Sequence, residues 1–172
     1  PAPPRRLWTT AAGPVPSPAG CTGMSFEDLP DDWPTRSLDD AATARDVLDL
    51  VVRDGDRTRP GIAVLLCNGA GRLLQPVIVH DATPSRDLRD DLRVLRTVVL
   101  GETSGGGHGV LVPAVLMALV RPSGAVGDVD RAWHQRVIEV CRAAGVRLLG
   151  VHLVTRSRVE TLPGPDSVVR VA

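Results

Sequence analysis

Apolar positions along this chain change period several times, and each change marks an element. Ala44, Val47, Leu48 and Val51 fall at helical spacing, which predicts a helix over residues 38–53 with Ser37 as its N-cap. Residues 61–67 then form a short unbroken apolar run, the pattern of a strand covered on both faces. Asn68-Gly69-Ala70-Gly71 supplies turn residues that tolerate positive φ, and residues 72–80 return as a second strand, closing a hairpin. Leu88, Leu92, Leu95 and Val99 predict a second helix over residues 85–100, followed by a glycine-rich loop at 101–109. Residues 114–120 read as a buried strand. Residues 128–144 read as a helix with Val129, Trp133, Val137 and Val140 on one face and Gly145 closing it. A further strand is predicted at 146–154, with edge strands at 159–162 and 167–171. No internal repeat is present. Helix, hairpin, helix, strand, helix, strand is the order of an α/β domain: a mixed, curved β-sheet packed by helices.

Composition places the limits of that domain. Residues 1–23 are rich in Pro, Ala, Gly and Ser without apolar periodicity, which predicts a flexible tail before a single domain at 24–172. Met24 offers itself as an alternative translation start, which would account for the change of composition there. A chain of 172 residues, 43% hydrophobic, can bury a full core. With aromatics at 2% and no Tyr, that core must be filled by Val, Leu, Ile and Ala. All 20 basic residues are Arg, the codon usage of a GC-rich genome such as an actinobacterium's. Formal net charge is zero, and Arg86-Asp87-Leu88-Arg89-Asp90-Asp91 reads as a solvated helix face. A nucleic-acid partner is therefore not expected, because such binding draws on a basic excess. Cys21, Cys67 and Cys141 have no metal-ligand or redox spacing. No stretch suffices to span a bilayer and no signal-peptide core is present, so no membrane partner and a cytoplasmic location are expected.

The chemistry-bearing segment is Leu119-Val120-Arg121-Pro122-Ser123-Gly124, at the end of an apolar run and just before a helix. The strand, Pro-Ser-Gly turn, helix, Gly and strand over residues 115–154 resemble the RadC-type branch of the JAB (JAMM or MPN) domains. That resemblance spans about residues 61–162. It implies a JAB/cytidine-deaminase-like fold and, in active members, a zinc hydrolase site. There the motif is His-x-His-Pro-Ser-Gly followed by Ser-x-x-Asp, and a glutamate on an earlier strand activates the bound water. Here Pro122, Ser123 and Gly124 match. Leu119 and Arg121 stand at the two histidines, and, after a gap of two residues, Asp130 falls at the aspartate and Gly127 at the serine. No acid occupies residues 72–80; Gln75 lies nearest to the glutamate's place. Catalytic zinc needs about three protein ligands and a water. Leu119 has no lone pair and Arg121 is permanently cationic, so the resemblance implies a frame without its metal.

Arg121 invites a sharper expectation: its guanidinium occupies the place of the cation and pairs with Asp130, the geometry for which arginine is best suited. The candidate cleft is thus Arg121, Ser123, Asp130 and His80, with no catalytic residue, no metal and no cofactor assigned. Ser123 lacks the Gly-x-Ser-x-Gly context of a nucleophile and reads as a turn residue. The loop at 101–109 lacks the Lys-Ser/Thr of a phosphate cradle. Of the histidines, His134 reads as a partly exposed helix residue and His152 as a hydrogen-bonded core residue. His80, Asp81 and His108 could converge. The leading expectation is a non-catalytic JAB-like domain serving as a protein-interaction or scaffold module, with protein partners that could include a second copy. A hydrolase with a remodelled cleft and a DNA-repair-associated protein are the alternatives.

Overall fold

The computed structural model describes residues 32–83, Thr97 and residues 112–164. The tail at 1–23, the loop at 101–109 with His108, Cys21 and the strand expected at 167–171 lie outside these residues. Of the helix expected at 85–100 only Thr97 is described, in helical conformation.

Helix α1 is Ala41–Val51. It starts later than the sequence predicts because Asp40, not Ser37, is its N-cap. The Asp40 carboxylate accepts from the Thr43 N–H at 2.8 Å and the Thr43 hydroxyl at 2.7 Å. Ser37 instead donates to Asp39 at 2.8 Å, and the Leu38 N–H bonds the Gly71 carbonyl at 2.9 Å, tying this turn to the hairpin loop. An acidic cap one residue before the helix satisfies its free N–H groups and suits its dipole, so the carboxylate wins over the hydroxyl.

Five strands follow: β1 Gly61–Cys67, β2 Leu73–His80, β3 Ala114–Val120, β4 Arg147–Val154 and β5 Val159–Thr161. Helix α2, Asp128–Ala144, connects β3 to β4. The sheet order is β2-β1-β3-β4-β5; β3 and β4 run parallel and every other neighbour is antiparallel. A parallel pair requires a crossover, and α2 is it.

Helices cover both faces of β1 and β3, which explains their unbroken apolar runs. On one face Ile62, Val64, Val115, Met117 and Leu119 pack with Trp133, Val137 and Cys141 of α2. On the other, Ala63, Leu65, Ala114, Leu116 and Ala118 pack with Ala44, Val47 and Leu48 of α1. Helix α2 ends at Gly145, whose φ of +67° is the left-handed turn that glycine adopts without strain, as its position predicts. Among the described residues no helix is long and apolar enough to cross a membrane.

Candidate functional site

The carboxyl ends of the parallel strands β3 and β4 lie side by side, the place where open α/β sheets usually present their loops to a ligand. The chain leaves β3 through Arg121, whose N–H is still held by the Val154 carbonyl at 3.1 Å. It then turns through Pro122-Ser123-Gly124, with Gly124 at φ +111°, and reaches the first turn of α2.

Arg121 and Asp130 meet across this loop. Arg121 Nη1 donates to Asp130 Oδ1 at 2.8 Å and Nη2 to Oδ2 at 2.9 Å, a two-pronged charge-assisted contact. Nη2 also reaches the Ala125 carbonyl at 2.7 Å. The Asp130 carboxylate has a third donor, the Gly127 N–H at 2.8 Å, so it also caps the start of α2. Asp130 is 2% exposed, whereas the arginine side chain keeps 26% of its surface. Burial alone would raise the Asp130 pKa. The hydrogen bonds from Arg121 and Gly127 and the guanidinium charge outweigh it and hold the carboxyl below its usual range. The pair is thus ionised at neutral pH. It closes the loop on itself, and both Asp130 oxygens are already engaged.

Leu119, two residues earlier, shares the face of Arg121 but sits beneath α2 in the apolar core, 1% exposed. Ser123 is exposed at the tip of the turn. His80 ends β2 at the same end of the sheet. Gly61 faces His80 on one side and Val120 on the other, placing His80 two strands from β3, about 10 Å across. Its partner is Asp56, with Nε2 to Oδ1 at 3.4 Å. The structure therefore brings Arg121 and Asp130 together and leaves Ser123 and His80 outside their contact. Asp81 follows His80 and pairs with Arg59 at 3.4 Å, in open solvent.

Gln75 lies far from this loop. It is exposed on β2 opposite Leu66, at the other end of the hairpin, about 17 Å along the strands from Gly61. His134 also departs from expectation. It is buried, not partly exposed, because the face of α2 that meets the sheet is centred on Asp130, Trp133, His134, Val137 and Cys141. Burial pushes its pKa down, opposed by a hydrogen bond to the Pro163 backbone. His152 is the core histidine its neighbours predict, 2% exposed with Nδ1 3.3 Å from the Thr161 hydroxyl. Cys67 and Cys141 are buried, and desolvation pushes each thiol up to about 11, so neither is a ready nucleophile. Among the described residues no group of three or more His, Cys, Asp or Glu side chains could hold a metal ion.

One residue of this end escapes sequence reasoning altogether. Arg57, in a single turn of 3₁₀ helix after α1, is only 5% exposed. It donates to the carbonyls of Val52 at 2.8 Å, Asp49 at 3.0 Å and Thr155 at 3.2 Å, and to the Asp49 carboxylate at 2.7 Å. It thereby closes the C-terminal end of α1 and ties it to the residue following β4. An arginine among the many charges of residues 53–59 carries no periodic signal that would mark it as buried.

No protein-family model matches the chain, and no curated protein matches its sequence.

Proposed function

We propose that this chain is a degenerate, RadC-type JAB-like domain, with the JAB/cytidine-deaminase-like fold, that acts without zinc as a protein-interaction or scaffold module. The Arg121–Asp130 pair carries this reading. An arginine sits at the position of the second metal-binding histidine in the resembling motif, and its guanidinium engages both oxygens of the aspartate that would otherwise face the metal. A permanent cation bonded to the remaining ligand leaves a dication neither a donor nor an electrostatic reason to bind. Leu119 supports the reading, since the position of the first histidine is given over to core packing. The sheet order, with a hairpin beside a parallel β3-α2-β4 unit, is compatible with it. Binding of a partner is what remains for such a frame when its chemistry is gone.

Metal analysis tests the first half directly. The purified protein, incubated with excess zinc and desalted, should retain far less than one equivalent; about one zinc per chain lost on changing Asp130→Asn would overturn the reading. Arg121→His alone should not create a site, because Leu119 still contributes no ligand. Leu119→His with Arg121→His restores three ligand positions and should raise zinc retention above the parent's.

A further inference from the structure

A second feature lies further along α2, towards its C-terminal end and away from the Arg121 loop. Strand β5 pairs only with His152, Leu153 and Val154, the last three residues of β4, and the Leu162 N–H adds one bond to the Val151 carbonyl. Among the described residues the first half of β4, paired with β3 on its inner side, therefore has no strand on its outer side. The space between that half and α2 is a groove of about 390 Å³, a volume within the range of small-molecule sites. Its walls are aliphatic: Ile138 from α2, Leu148 and Val151 from β4, and Leu162 after β5.

Two polar side chains reach this groove. His134 is kept neutral by burial and spends a hydrogen bond on Pro163. Arg142, exposed near the end of α2, supplies the charge. Among the described residues Arg142, like Arg45, Arg53, Arg72 and Arg156, has no carboxylate within ion-pair distance, although its charge is felt by the neighbouring Glu139; of these five arginines it is the one that borders the groove. An unpaired guanidinium beside aliphatic walls favours a ligand with an apolar body and an anionic head. An added peptide strand fits less well. The pairing of β4 with β3 shifts register between Val115 and Leu116, leaving Leu149 as an extra residue, and such a bulge breaks the regular row of N–H and C=O groups a peptide needs.

We propose that this groove binds a medium-chain aliphatic monocarboxylate, with the chain against Ile138, Leu148, Val151 and Leu162 and the carboxylate on Arg142. This goes beyond the reading of the Arg121 loop and does not depend on it. The test is a titration of the isotope-labelled protein at pH 7 with octanoate, octanol, octylammonium and acetate, followed by amide shifts. Octanoate should bind saturably and move the amides of residues 138–148 and 150–151. Acetate and octylammonium should bind at least about tenfold more weakly, the factor that one ion pair or a few methylenes supply. Arg142→Gln, a change at an exposed position that leaves the core intact, should weaken octanoate by about tenfold and leave octanol unaffected. The proposal is overturned by the absence of saturable shifts with octanoate, by shifts that map elsewhere, or by octanoate affinity indifferent to Arg142→Gln.

Discussion

A single charged side chain in this protein has very different weight according to what solvent it has lost. Arg121 and Arg131 both pair with an aspartate of α2, but Arg131 meets Asp128 at 3.3 Å in open solvent, while Arg121 grips a carboxylate that is nearly inaccessible. Arg121→Ala strands the Asp130 charge with the Gly127 N–H as its remaining donor. It should cost about 2–4 kcal/mol, below the fully buried limit because water reaches the arginine side. Arg131→Ala should cost under about 0.5 kcal/mol, the usual worth of an exposed pair. Urea unfolding of the two variants decides this, and equal losses would reduce Arg121 to an ordinary surface residue. His152 is the opposite kind of buried titratable group, one that must stay neutral. Desolvation, with Arg45 and His134 adding to it, pushes its pKa from 6.5 to about 4. The unfolded chain takes up the proton first as pH falls, so the stability from this group is complete above about pH 6.5 and is lost progressively towards pH 4. A shift of that size corresponds to about 3 kcal/mol. Unfolding free energies measured between pH 7.5 and 4.5 should fall accordingly, and His152→Gln should flatten the slope. A variant as pH-sensitive as the parent would assign the effect elsewhere.

Elements were legible in the sequence where burial writes a period, and illegible where a single polar contact decides. The unbroken runs of β1 and β3 appear in the structure at the residues the pattern marks, because two covered faces leave no polar alternation. The bounds of α2 are also met, but of its expected stripe only Trp133 and Val137 are buried, Val129 and Val140 lying at the margin of a face that includes Asp130, His134 and Cys141. The start of α1 was misplaced by three residues, since Ser37 and Asp40 are both good caps and only the position of Gly71 shows which turn Ser37 serves. The Arg121–Asp130 contact was foreseeable from residue chemistry, because arginine is the side chain best suited to hold a carboxylate by two hydrogen bonds. Arg57 was not, because three of its four acceptors are backbone carbonyls that no side-chain pattern reveals. Its role at the element scale is nevertheless large. Three carbonyls and a carboxylate converge on one guanidinium that joins α1 to the end of β4. Arg57→Ala leaves buried acceptors unsatisfied and should cost about 3 kcal/mol or more. Arg57→Lys should recover less than half of that, since an ammonium cannot fork towards both elements. Full rescue by lysine in thermal or denaturant unfolding would show that charge, not geometry, is what this position requires.

For the molecule as a whole, the open question of any five-stranded sheet is what happens at its edges. Among the described residues β2 has no strand on its outer side, and Leu73–Val79 carries no charge to discourage one. Leu74, 62% exposed, adds an apolar side chain to that edge. Pro76 supplies the deterrent. The Asp81 N–H bonds the Pro60 carbonyl at 2.8 Å, which sets the alternation along the hairpin, so that Leu65 and Pro76 form a pair without mutual hydrogen bonds. The nitrogen of Pro76 therefore points outward. The ladder to β1 loses nothing, and an incoming strand finds a missing donor and a ring in the middle of the edge. Pro76→Thr restores that donor while leaving every bond to β1 in place. Its unfolding free energy should stay within about 1 kcal/mol of the parent's, the range expected when a proline's restriction of the unfolded chain is lifted. Its association should not stay the same. Sedimentation velocity across a concentration series should show the variant shifting to dimers or larger species at concentrations where the parent does not. If the variant sediments as the parent does, the β2 edge is guarded by something other than Pro76. If the variant instead loses several kcal/mol of stability, the outward assignment of the Pro76 nitrogen is itself wrong.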